Sequence, residues 1–150
     1  MYNPRLLVLC LVGLSVTSAL AQEDQKPNLT GTWQLSVAKS EIQASKLAAA
    51  TWSIEHRGLS IHISRVEKSQ DGKETKKELR CTIGAKECEA GDTKISLWYD
   101  GNVLVAMEAG DTILKYNMAL AAGGKALTVA VTHIVPGGAN EKLFFDAGGL

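Results

Sequence analysis

Residues 92–134 read DTKISLWYDGNVLVAMEAGDTILKYNMALAAGGKALTVAVTHI, and the turns in this stretch decide the fold. Asp100-Gly101, Gly110-Asp111 and Gly123-Gly124 separate short runs in which Val, Ile, Leu and aromatic residues alternate with polar ones. Period-two alternation between glycine-containing turns is the pattern of antiparallel hairpins. Connections this short leave no room for the crossover helices that parallel strands require. Two-residue turns at Asp100-Gly101 and Gly110-Asp111, followed by a four-residue loop at 121–124, put Trp98, Val103, Val105, Met107, Leu114, Tyr116, Met118, Leu127, Val129 and Val131 on one face. That face is expected to be the interior. A slip of one residue would send a strand's whole apolar set to the other side.

Working outward, Arg57-Gly58, Asp71-Gly72, Gly91-Asp92 and Gly137-Gly138 continue the turn signals. Strands are expected over 31–37, 50–57, 59–67, 74–83, 92–99, 102–108, 112–120, 126–134 and 141–146. Trp52 and Ile54 share a face and should meet Ile61 and Ile63 across the Gly58 hairpin, while Leu79, Cys81 and Ile83 form another inward row. Ser40 is placed to cap a short helix over 41–49, a run of mostly good helix formers. Eight or nine antiparallel strands in one small chain expose edges unless the sheet closes on itself. The fold class expected is therefore all-β, an up-and-down meander closed into a barrel, with a two-sheet β-sandwich as the alternative.

Before the barrel comes a different kind of segment. Arg5 precedes an apolar run from Leu6 to Val12, and Ser18-Ala19-Leu20-Ala21 offers small residues for cleavage. Residues 1–21 are read as a signal peptide, 22–28 as a polar arm and 29–150 as one β-barrel domain. The apolar run is too short to remain as a membrane span, so the mature chain is expected to have none. Removing residues 1–21 also removes Cys10, leaving Cys81 and Cys88. In an exported chain, periplasmic or secreted, two cysteines most simply form one disulfide.

Composition excludes several classes. The chain has 150 residues, 16 basic against 16 acidic, and 45% hydrophobic residues. A nucleic-acid binder needs a basic footprint that is missing, and the apolar content is too high for a disordered chain.

Leu29-Thr30-Gly31-Thr32-Trp33-Gln34-Leu35 carries a G-x-W opening, followed by Ala38-Lys39-Ser40, Trp98-x-Asp100-Gly101-Asn102-x-Leu104 and Gly124-Lys125-x-Leu127-Thr128-Val129. With these motifs the chain resembles small secreted bacterial proteins of lipocalin-like type. The resemblance implies a barrel and an exported location, and transfers no activity. The T-D-Y motif and late Arg of true lipocalins are missing, as is the G-T-Y pattern of avidins, so biotin binding is not implied.

Chemical motifs are sparse. The sequence contains no G-x-S-x-G, H-E-x-x-H, C-x-x-C or phosphate-binding loop, so no catalytic residue, metal site or cofactor is assigned. Asp71, Asp92, Asp100 and Asp111 all fall in turns, where their side chains cap backbone groups. His56 and His133 lie on inward faces, and tracking the expected strands puts both at one end of the barrel. Their reading is two wet strand-end histidines, with an acid–base pair as the enzymatic option. Trp52 and Trp98 are expected near one mouth, where Trp52, Trp98, Val103, Tyr116, Met118 and Leu127 would line an apolar pocket under the 41–49 segment. Inward aromatics also fill cores, and that reading stands beside the pocket. On the outer face, Ile95, Leu97, Leu104 and Ile113 would cluster, either under the helix or as a contact patch for a second copy or a protein partner. The function expected is a non-enzymatic exported binding protein for a small apolar ligand, with an interaction or inhibitor module as the alternative.

Overall fold

Period-two alternation is visible in the burial of the longest strand, where Ala50, Trp52, Ile54 and His56 are buried and the residues between them are exposed. The computed structural model describes residues 26–85 and 88–148. The expected signal peptide and most of the polar arm lie outside these residues. Among these residues ten strands follow one another: β1 (Gly31–Leu35), β2 (Leu47–Arg57), β3 (Ser60–Ser69), β4 (Glu74–Thr82), β5 (Cys88–Ala90), β6 (Thr93–Asp100), β7 (Val103–Ala109), β8 (Ile113–Leu120), β9 (Ala126–Val135) and β10 (Glu141–Ala147). All belong to one antiparallel sheet in the order β4-β3-β2-β1-β10-β9-β8-β7-β6-β5. A single sheet curled until its edges approach is the expected barrel, and the two-sheet sandwich is set aside.

The barrel has two ends. At the Gly58 end lie the turns at 58–59, 101–102 and 121–125; at the Lys46 end lie the 36–46 crossing, the 70–73 turn, the 110–112 loop and the 136–140 connection. The edges β4 and β5 share no backbone ladder, so a seam runs between them. Toward the Gly58 end the seam is held by the expected disulfide, Cys81–Cys88, with Cα atoms 5.7 Å apart. There the Gly84 N–H also crosses to the Leu97 carbonyl (2.7 Å). Replacing both cysteines by serine should lower stability by about 2–3 kcal/mol, the value for so short a closed loop. A urea midpoint equal to that of the parent would show that the seam holds without the bond.

Three expectations are corrected. Residues 41–49 form no helix. Glu41 bridges to Lys142, Lys46 adopts φ 49°, and β2 already begins at Leu47. The helix is displaced because the Glu141 carboxylate takes up the Gln43 and Ser45 amides (2.7 and 2.9 Å) and the Ser45 hydroxyl (2.8 Å). Among the described residues, the helical structure is one 3-10 turn over Val37–Lys39.

The second correction concerns faces. The turn between β7 and β8 has three residues, Gly110 to Thr112, and the ladder pairs Leu104 with Met118, Ala106 with Tyr116 and Glu108 with Leu114. One extra loop residue therefore turns the whole β6–β7 hairpin over. Ile95, Leu97 and Leu104, expected outside, are 2%, 3% and 0% exposed in the core. Trp98, Val103 and Met107, expected inside, are half-buried on the other face, which they share with Val105. The apolar contact patch of Ile95, Leu97, Leu104 and Ile113 does not exist as an outer surface; Ile113 alone stays half-buried, beside a bulge. In contrast, the β8–β9 pairing differs from expectation by two residues (Met118 opposite Val129, Tyr116 opposite Val131), which keeps every face.

The third correction concerns ends. β5 was not anticipated, and one additional strand reverses the direction of every strand after it. His56 thus lies at the Gly58 end and His133 at the Lys46 end, and Trp98 and the 121–125 loop lie away from the 41–46 segment.

Candidate functional site

β2, β3, β7 and β8 send Trp52, Arg65, Glu108 and Tyr116 into one region of the interior. Arg65 holds the inward register position beyond Ile61 and Ile63 on β3, where its neighbours predict another apolar side chain. It is 6% exposed, and its Nη2 donates to Glu108 Oε1, whose residue is 5% exposed. The pair spans from β3 to β7 behind the seam. The guanidinium lies against two rings that meet each other edge-on, Trp52 at 5.4 Å and Tyr116 at 5.3 Å. Trp52 is itself fixed by its indole N–H, which donates to Glu67 (3.1 Å), and by Phe145 at 4.8 Å between ring centroids.

Burial works against the charge on Arg65, but the carboxylates of Glu108 and Glu67 and the Tyr116 hydroxyl outweigh it and push its pKa up. Burial likewise raises Tyr116, against the pull of Arg65, to about 12, so its hydroxyl stays neutral at ordinary pH. The guanidinium is not fully satisfied: its buried Nε has no hydrogen-bond partner among the described residues. A planar fork with a free N–H beside two aromatic rings is suited to a carboxylate or another planar anion.

Two spaces meet at this pair. Inside, Trp52, Leu79, Ala106, Tyr116 and Met118 surround a cavity of about 10 Å³, roughly one water's worth of room. Outside, a cleft of about 240 Å³ opens along the unladdered part of the seam, between Lys76, Lys77 and Leu79 on one side and Ala90, Thr93 and Ile95 on the other. Arg65, Glu108 and Leu79 line both spaces.

The residues expected to line a pocket therefore separate. Trp52, Tyr116 and Met118 come together around the cavity, Leu127 lies further along the same interior toward the Gly58 end, and Trp98 and Val103 stand on the opposite side of the sheet. Arg65 and Glu108 were missed. Their signal was legible as charged residues at inward positions of otherwise apolar rows, at Ile61-x-Ile63-x-Arg65 and Leu104-x-Ala106-x-Glu108.

The histidines are each tied to structural partners. His56 Nδ1 accepts the Leu29 N–H (3.2 Å), so the neutral ring carries its proton on Nε2, next to the Gly58 carbonyl (3.0 Å) and the Tyr99 hydroxyl (3.1 Å). These bonds, with Trp33 Nε1 on the Leu29 carbonyl (2.9 Å), dock the segment before β1 across the Gly58 end. Burial lowers the His56 pKa, only partly offset by the Gly58 carbonyl. At the other end, His133 lies 3.3 Å from Glu141. Burial disfavours the Glu141 charge, but the Ser45 and Gln43 amides, the Ser45 hydroxyl and His133 more than compensate and lower its pKa. Asp71 caps its turn as expected, accepting the Lys73 N–H (3.0 Å). Among the described residues no three His, Cys, Asp or Glu are grouped to hold a metal, and no helix is long and apolar enough to cross a membrane.

The His56 shift has a sign that can be checked. Its folded pKa lies below its unfolded value, so the unfolded chain binds the extra proton first and stability falls as pH drops below about 6.5. Glu141 adds a further loss only below the ordinary carboxylate range. Denaturant unfolding at pH 7 and pH 5 should show the lower stability at pH 5, and His56→Gln should flatten that difference. An equal slope in the variant would remove His56 as its source.

No family model matches the chain, and no curated protein matches it in sequence. Solved structures do. One is the REP1-NXSQ fatty acid transporter, 18% identical, with 81% of this chain and 97% of that one covered at a TM-score of 0.60. A secretory abundant heat soluble protein from Ramazzottius varieornatus is 12% identical, covering 79% and 94% at 0.56. The fatty-acid-binding protein of Drosophila melanogaster brain tissue is 16% identical, covering 80% and 100% at 0.52. The likeness is one of fold. It supports a lipocalin-like barrel fold for this chain and leaves any ligand to be argued from its own residues.

Proposed function

We propose that the protein is an exported, non-enzymatic binding barrel for a small amphiphile, an apolar body carrying an anionic head group such as the carboxylate of a fatty acid. The observation that carries this reading is Arg65: a permanent charge inside an apolar barrel, packed against Trp52 and Tyr116, with one N–H left unpaired. Buried charge without function is costly, and a packed apolar core would serve stability as well or better. The fatty-acid names carried by two of the similar barrels point the same way.

The head group would sit at Arg65, with the apolar body against Trp52, Leu79, Tyr116 and Met118. Because the cavity beside them is only about 10 Å³, uptake requires the walls to part. The seam between β4 and β5 is where no backbone ladder resists that movement.

Native mass spectrometry of protein purified without denaturant tests the reading. An extra mass that leaves on denaturation and proves to be an anionic amphiphile is the expected result, and Arg65→Met should lose it. A ligand-free protein that also fails to take up a fluorescent fatty acid would overturn the proposal.

A further inference from the structure

We infer that Glu108 is a resident stand-in for the ligand: its carboxylate occupies Arg65 in the empty barrel and is displaced toward Lys77 when an anionic head group arrives through the seam. The inference rests on the binding reading above and adds how the site is kept closed and how it discriminates.

Glu108 has two cationic neighbours on opposite sides. One oxygen takes the Arg65 guanidinium inside; the other lies 4.0 Å from Lys77 Nζ, whose side chain is 59% exposed at the mouth of the cleft. A small swing of the carboxylate would exchange one partner for the other. The Arg65–Glu108 pair lines both the cavity and the cleft, so it stands as the partition between them. At the Gly58 end the interior is stoppered by Leu29, 0% exposed, and by Trp33 bonded to its carbonyl. The seam is the wall without a ladder, and Lys76 and Lys77 flank it.

The energetic logic is an exchange of equals. A carboxylate cannot enter an apolar interior unpaired, and Arg65 cannot be left there without a counter-charge. If the incoming anion takes Arg65 as Glu108 turns to Lys77, each buried charge keeps a partner throughout. A neutral amphiphile offers Arg65 nothing and cannot drive the swing. Glu108 thus weakens binding of every anion by its own competition, while Arg65 supplies the preference for anions over neutral analogues.

Dansylaminoundecanoic acid and the corresponding alcohol, titrated by dansyl fluorescence into the parent protein, Glu108→Gln and Lys77→Gln, test this, with circular dichroism as the check on folding. Glu108→Gln should bind the acid at least about tenfold more tightly, on the scale of one charge-assisted hydrogen bond. Lys77→Gln should bind it several-fold more weakly, and the alcohol should be indifferent to both. If the parent binds the acid but neither variant alters its affinity, the displacement is wrong and the binding reading survives. If no form binds either probe, the binding reading itself falls and this inference with it. Should Glu108→Gln fail to fold, Lys77→Gln decides alone, since its side chain is exposed.

Discussion

Glu108→Ala is expected to lower the stability of the folded barrel by about 3–5 kcal/mol, the range found when one partner of a buried ion pair is removed. The side chains of both partners are nearly inaccessible, 6% exposed for Arg65 and 7% for Glu108, so water cannot replace the lost carboxylate. Glu67 lies close enough to soften the loss but is already engaged with the Trp52 indole. Removing both charges together, as Arg65→Met with Glu108→Leu, should restore most of the stability and come within about 1–2 kcal/mol of the parent, or exceed it. Urea unfolding of the two variants measures the contrast. A double variant as unstable as Glu108→Ala would mean that the pair is required for packing rather than retained for its charge.

Trp52→Ala should cost a comparable amount, about 3–5 kcal/mol, because deleting a fully buried indole leaves a cavity that the neighbouring rings cannot fill. Trp52 is 2% exposed, touches Phe145 and Tyr116 at centroid distances of 4.8 and 6.3 Å, and packs against the Arg65 guanidinium. Trp98→Ala, on the outer side of β6, should cost only about 1 kcal/mol, an ordinary value for a substitution away from the core. Thermal or urea unfolding of the two variants side by side tests which face each tryptophan occupies. Equal losses would contradict the assignment of Trp98 to the outside.

The comparison of those two tryptophans marks the limit of what the sequence could tell. Within a hairpin closed by a tight turn, spacing alone gave the correct faces: around Gly58, Ile54 does stand opposite Ile63, although Trp52 meets Arg65 rather than an isoleucine. The pairing of Cys81 with Cys88 followed from their number and from the expectation of export. Two discrete events defeated the rest. A third residue in the 110–112 loop inverted the faces of β6 and β7, and the three-residue strand β5, too short to show alternation, inverted the ends of every later strand. Both are parity errors: no propensity was misjudged, yet Trp98 and Leu97 exchanged places. The 41–49 segment failed for another reason. Its helix formers were overruled by one distant carboxylate, Glu141, which captures two of its amides. For the site, Trp52, Tyr116 and Met118 were legible as inward residues, whereas Arg65 was passed over because a charged residue at the end of an apolar row reads as a strand end.

The strand order has a consequence for how the molecule comes into being. The first and last strands are not edges; they pair in the middle of the sheet, Trp33 opposite Ala147, while the edges are β4 and β5, neighbours in the chain. The half of the sheet from β1 to β4 and the half from β5 to β10 are joined by a backbone ladder only when the C-terminal strand reaches the N-terminal one. That contact spans nearly the full length of the chain and must pay for its closure late. A polypeptide threaded outward from its N-terminus therefore remains an open pair of hairpin arrays until its last residues emerge. If residues 1–21 direct export, as the sequence leads one to expect, the chain would stay pliable in transit and close only on arrival.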